Sequence, residues 1–150
     1  MSTALDDLCL RLRPQVVEVL ARLIEARVMV MLVCITRTPA EHTLNVAAGT
    51  SATAHSKHVP ASNAACPQCH GTKSHAVDLC PYETWELHGS DKAQWRAGTW
   101  DKMPAEWATI VRLGKATGLR SGRDWGRSDE SLRQTPPKPF DPGHLELPGT

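Results

Sequence analysis

Eight consecutive apolar residues, Val28-Met29-Val30-Met31-Leu32-Val33-Cys34-Ile35, constrain this chain more than any other feature. The run is far too short to cross a bilayer, which takes about 20 residues. Its β-branched content reads as a buried central strand. The segment before it reads as a helix, because Val16, Val17, Leu20, Leu23 and Ile24 recur at one-face intervals and Pro14 suits a first turn. After it, Thr38-Pro39-Ala40-Glu41 has the form of a capping box, predicting a helix from Pro39 to about Ala48.

Farther along, Gly49 to Asn63 reads as a loop and Ala64 to Lys73 as irregular chain. Ala76 to Cys80 reads as a short strand closed by Pro81, and Pro104 to Thr117 as a helix with Trp107, Ile110 and Val111 on one face. Gly114 is an awkward residue inside that helix, whereas Gly118 is placed to end it. Gly122 to Pro139 reads as a long surface loop, and His144 to Leu147 alternates as a half-buried strand does. Separated strands without regular βαβ alternation predict a small α+β fold, with an antiparallel or mixed sheet flanked by helices. The length of 150 residues fits a single domain.

Charge and composition exclude several functions. Seventeen basic against sixteen acidic residues leave a net charge of +1, which argues against a partner bound through a nucleic-acid backbone. No stretch is suited to membrane insertion. The acidic start Met1-Ser2-Thr3-Ala4-Leu5-Asp6-Asp7 is unlike a signal peptide, so synthesis in the cytoplasm without general secretory export is expected. Five cysteines, an odd number, do not read as a disulfide framework. Cys9 and Cys34 lie in apolar stretches and read as small core residues.

The polar residues that demand explanation are His58, Asp78 and His144, together with Arg37 and Asp141. An aspartate inside a short apolar strand is costly unless paired or bound to metal. Two imidazoles and a carboxylate suit a catalytic Zn²⁺ with one open position. Satisfied core histidines and a turn or capping aspartate are the alternative.

Four segments, in order, resemble the zinc peptidases that cut peptidoglycan stem peptides, a group that includes D-alanyl-D-alanine carboxypeptidases and phage L-alanyl-D-glutamate endopeptidases. Thr36-Arg37-Thr38-Pro39-Ala40-Glu41 is similar to the family's arginine-threonine turn before a helix. Ser56-Lys57-His58 resembles its Ser-x-His motif, and Ser74-His75-Ala76-Val77-Asp78-Leu79 its Gly-x-Ala-Val-Asp-Leu motif. Asp141-Pro142-Gly143-His144-Leu145-Glu146-Leu147 resembles its Asp-x-x-His-x-Glu motif. Arg120-Ser121-Gly122-Arg123-Asp124-Trp125 is similar to the family's Trp-Gly-Gly-x-Trp stretch but lacks its first Trp.

The resemblance implies a Hedgehog/DD-peptidase-like fold and Zn²⁺ bound by His58, Asp78 and His144. It makes Asp141 the general base, with Glu146 as the alternative base or a support for His144. Arg37 would receive a substrate carboxylate or carbonyl, and Ser51 and Ser56 would lie near the cleft. The implied partner is a peptidoglycan stem peptide, met by a monomer. A phage or prophage endolysin with L-alanyl-D-glutamate endopeptidase activity, released through a holin-type pore, is the expectation. A D-alanyl-D-alanine carboxypeptidase and a non-catalytic zinc-stabilised wall-binding or interaction module are the alternatives.

The chain departs from the family's pattern between the first two ligands. Nineteen residues separate His58 from Asp78, so an insertion of about residues 60–73 lies between them. A surface insertion costs little loop-closure entropy. It carries Cys66-Pro67-Gln68-Cys69-His70, a haem-attachment pattern that needs an exported chain. A second, structural zinc held by Cys66, Cys69, Cys80 and either His70 or His75 suits the sequence better. A Cys66–Cys69 disulfide or free thiols remain alternatives.

Overall fold

The computed structural model describes residues 1–48, 55–82, 103–124, 141 and 143–149. Helix α1 (Arg13–Glu25) has Pro14 in its first turn and buries Val16, Val19 and Leu23. Val17 and Ile24 face solvent instead, because they sit about 80–100° round the helix from Val16, at the rim of the stripe. Strand β1 (Val30–Cys34) follows.

Helix α2 (Pro39–Ala47) starts with the expected capping box: Thr38 Oγ1 accepts from Glu41 N–H at 3.2 Å, and Glu41 Oε2 accepts from Thr38 N–H at 2.8 Å. The Met1 ammonium donates to the other Glu41 oxygen at 2.7 Å. These partners pull the Glu41 carboxyl down to about 2.

Strand β2 (Ala76–Pro81) is buried throughout. Helix α3 (Pro104–Ala116) buries Trp107, Ile110, Leu113 and Gly114. Gly118, at φ +86°, ends it in the left-handed conformation that favours glycine. Two short strands complete the sheet, β3 (Arg120–Ser121) and β4 (His144–Glu146). The two-residue β3 is too short to leave an alternation in the sequence.

The four strands run in the order β1-β2-β4-β3, and every pairing is antiparallel. The fold is α+β, as expected. The long apolar run, however, does not supply a central strand. β1 lies at an edge of the described sheet and is only half-buried until Cys34, because its one strand partner is β2. Its apolar character goes with packing beside β2, and among the described residues no strand lies on its other side.

Sheet register divides the residues into two faces. Opposed residues in an antiparallel pair point to the same side, and neighbours along a strand alternate. Val77 and Leu145 are opposed and join the main core with Leu79, beneath α1 and α3. Gly114 explains itself here: a Cβ on it would overlap Leu145, so its absence lets α3 lie directly on β4. Asp78 is opposed to both Cys34 and His144, so these three stand in one row on the other face.

Candidate metal centre

The row across the sheet gathers residues that are remote in sequence. His58 comes to it from a loop, fixed by two backbone contacts: its carbonyl accepts from Arg37 N–H at 2.9 Å, and its N–H donates to Ser56 Oγ at 3.3 Å. Ser56 thus shapes the loop that carries His58. Ser51 lies outside the described residues.

His58 Nε2, Asp78 Oδ1 and His144 Nδ1 form a small triangle. Its edges are 3.0 Å from His58 to Asp78, 3.2 Å from His58 to His144, and 2.9 Å from His144 to Asp78. All three residues are buried. Tetrahedral zinc, with bonds of about 2.0–2.1 Å, sets nitrogen and oxygen ligands about 3.3 Å apart. The triangle therefore fits one such ion, and the donor set of two imidazoles and a carboxylate is suited to it.

The far side of each imidazole supports that arrangement. Ile35 O accepts from His58 Nδ1–H at 2.9 Å, which leaves the Nε2 lone pair facing the triangle. Glu146 Oε2 accepts from His144 Nε2–H at 3.0 Å, which leaves the Nδ1 lone pair facing it. Glu146 is in turn flanked by Lys57 and Arg120, each 3.7 Å from its other oxygen. Glu146 therefore addresses the outer edge of His144 rather than the centre of the triangle.

Charges at the centre are strongly coupled. Burial alone would raise the Asp78 carboxyl, yet His58 and His144 hold it well below the usual carboxylate range. Burial alone would lower His58, yet the Asp78 carboxylate outweighs it and lifts the imidazole to about 10. His144 is raised against its burial by Asp78 and Glu146. The pocket favours positive charge at this point, whether carried by protons or by an ion.

Asp141 meets the same centre from the turn before β4. A carboxylate oxygen of Asp141 lies within 4.8 Å of ligand atoms of Asp78 and His144. Its backbone N–H donates to Gly122 O at 3.2 Å, and its Oδ1 accepts from Gly143 N–H at 3.2 Å. A Cβ at Gly122 would overlap Asp141 O and crowd His144, so glycine there lets the turn close on the site. Burial, then the Asp78 charge, push the Asp141 carboxyl up to about 7.

Arg37 stands at the rim with 15% of its side chain exposed, 4.0 Å from Asp78 Oδ2. Its buried Nε has no hydrogen-bond partner among the described residues. Cys34, read as a core residue, has its thiol within 4.8 Å of ligand atoms of both His58 and Asp78. The sequence offered one sign of this: Cys34 is the penultimate residue of the apolar run, close to the Thr36-Arg37 turn.

A second cluster lies apart from the first. Cys66 and Cys69 are brought together with Cys9 and His75, all four buried, and their ligand atoms lie within 4.8 Å of one another. Two of the expected members are elsewhere. Cys80 is buried with the residues of the main core, and His70 is exposed. Cys9 is buried as expected, but beside thiols rather than in the main core. Burial pushes the Cys9 thiol up to about 11. For Cys66 burial acts the same way, but backbone N–H groups of Cys69 and Gln68 outweigh it and bring the thiol down to about 5.

Among the described residues no helix is long and apolar enough to cross a membrane. No family model and no curated protein matches the chain. Among solved structures, the chain is similar to the L-Ala D-Glu endopeptidase ChiX of Serratia marcescens, with 20% sequence identity and a TM-score of 0.52. The match covers 95% of this chain and 82% of that one. At that identity the likeness carries the fold alone.

Proposed function

We propose that this chain is a zinc peptidase that hydrolyses peptidoglycan stem peptides, at the bond between L-alanine and D-glutamate. The observation that carries the proposal is the buried triangle of His58 Nε2, Asp78 Oδ1 and His144 Nδ1, with the opposite nitrogen of each imidazole already engaged. The fold neighbour, named for that bond, supports the choice of substrate.

A zinc ion bound there supplies Lewis acidity, which acidifies water and polarises a peptide carbonyl. The chain's own groups do the rest. Asp141, with a carboxyl poised near neutrality beside the ligands, takes a proton from the attacking water and returns it to the leaving amine. Glu146 holds His144 in the tautomer that presents Nδ1. Arg37, partly exposed beside Asp78, offers a guanidinium fork to a substrate carboxylate. The substrate lies outside the cytoplasmic membrane, and the enzyme acts there, as an endolysin released through a holin-type pore would.

Mass spectrometry of a defined muropeptide after incubation with the zinc-loaded protein tests this. Scission between L-alanine and D-glutamate, stopped by a chelator and restored by Zn²⁺, is expected. Release of terminal D-alanine would reassign the bond. An intact muropeptide would refute the peptidase reading.

A further inference from the structure

The insertion between His58 and Asp78 needs something to hold it. Its buried apolar content is a satellite cluster of Cys9, Cys66 and Cys69, too small to order a loop of this length by burial alone. Hydrogen bonds close its base: Asn63 Nδ2 donates to Lys57 O and to Lys73 O, both at 3.0 Å. Its tip is organised differently. After Cys69 the chain reverses through two left-handed residues, His70 at φ 47° and Gly71 at φ 76°. His70 N–H donates to Cys66 O at 2.9 Å.

We propose that Cys9, Cys66, Cys69 and His75 hold a second zinc ion, structural and distinct from the first. Cys9 Sγ and Cys66 Sγ are 3.8 Å apart, and Cys69 Sγ lies 3.3 Å from His75 Nε2. Tetrahedral zinc, with Zn–S bonds of about 2.3 Å and Zn–N bonds of about 2.0–2.1 Å, sets S···S at about 3.8 Å and S···N at about 3.5 Å. A disulfide needs about 2.05 Å between sulfurs, and none of the five cysteines forms one. The four ligands are a Cys₃His set, closed to substrate by burial, as structural sites are. On binding, each thiol that is still protonated releases its proton to solvent, and His75 coordinates as the neutral ring.

The ligands come from three segments. Cys9 precedes α1, with its N–H on Ser74 O at 2.9 Å. Cys66 and Cys69 sit in the insertion. His75 is the residue before β2, and its N–H donates to Lys57 O at 3.0 Å. An ion there ties the chain's start to the two segments that carry His58 and Asp78, so the insertion becomes a brace behind the first site.

Zinc counting by mass spectrometry on purified full-length protein decides the matter. The His58→Ala variant, with the first centre disabled, should keep one zinc ion per chain. Cobalt replacement in that variant should give thiolate-to-metal charge-transfer absorption. Cys69→Ser should lose this ion and the absorption. Should Cys69→Ser fail to fold, the cobalt spectrum of His58→Ala decides alone. A His58→Ala protein without zinc or thiolate absorption overturns the proposal, as does a Cys66–Cys69 disulfide in the native chain. Failure of the first centre leaves these outcomes unchanged, so the two readings fall separately.

Discussion

Replacing Glu146 by Gln changes one oxygen to an amide nitrogen at a site where only an acceptor fits. Glu146 is 6% exposed, with Oε2 3.0 Å from His144 Nε2 and its other oxygen facing Lys57 and Arg120. A carboxylate can only accept, so it fixes the proton on Nε2 and frees Nδ1 for a ligand. A glutamine must either aim its NH₂ at the two cations or turn it toward Nε2. The second choice moves the imidazole proton to Nδ1, where it blocks coordination. Even the first weakens a charge-assisted bond to a neutral one, a loss of about 1–1.5 kcal/mol. That is roughly tenfold in affinity, and the tautomer change extends it toward about 100-fold. Zinc affinity of Glu146→Gln, measured by competition with a chromophoric chelator at one pH, should therefore fall 10- to 100-fold. Circular dichroism should remain that of the parent. An affinity within about twofold of the parent would refute the idea that Glu146 sets the His144 tautomer.

Other perturbations separate the remaining roles. On the proposed role of Asp141 as the base, Asp141→Asn should leave zinc affinity within about twofold while muropeptide turnover falls by about 10²-fold or more. Gly114→Ala should lower the stability found by urea unfolding by about 1 kcal/mol. The added methyl overlaps buried Leu145, an overpacking cost of about 1–3 kcal/mol set against a helix-propensity gain of about 1 kcal/mol; a net gain would mean that α3 does not lie on β4. Glu41 is depressed from 4.5 to about 2, so its contribution is present above about pH 4.5 and is lost as pH falls toward 2. The melting-temperature gap between parent and Glu41→Gln at pH 6 should accordingly close by pH 2.

Local rules were legible where a short stretch of sequence decides the outcome. The Thr38–Glu41 box and Gly118 act through their own backbone neighbours, and both appear as expected. Asp78 stood out because burying a carboxylate in an apolar strand demands a partner, and the strand pairing supplies His144 opposite it. What sequence could not give is which side of an element meets a neighbour. The Val28–Ile35 run signals apolar packing but not the number of strands beside it, and β1 lies at an edge of the described sheet. Gly114 is awkward for a helix in the sequence alone, and its reason lies in Leu145, a distant residue packed against it. Cys9 joins Cys66, Cys69 and His75 only because a bridge between Leu8 and Ser74 draws the chain's start alongside the insertion. No local pattern encodes a bridge of that sequence separation.

The central claim is that three donor atoms from a loop and two strands close on one ion. Anomalous X-ray scattering at the zinc absorption edge, from crystals of the zinc-loaded protein, measures this directly. A peak about 2.0–2.2 Å from each of His58 Nε2, Asp78 Oδ1 and His144 Nδ1 is the predicted result. An empty triangle in a crystal soaked with zinc, its side chains still 2.9–3.2 Å apart, would contradict it.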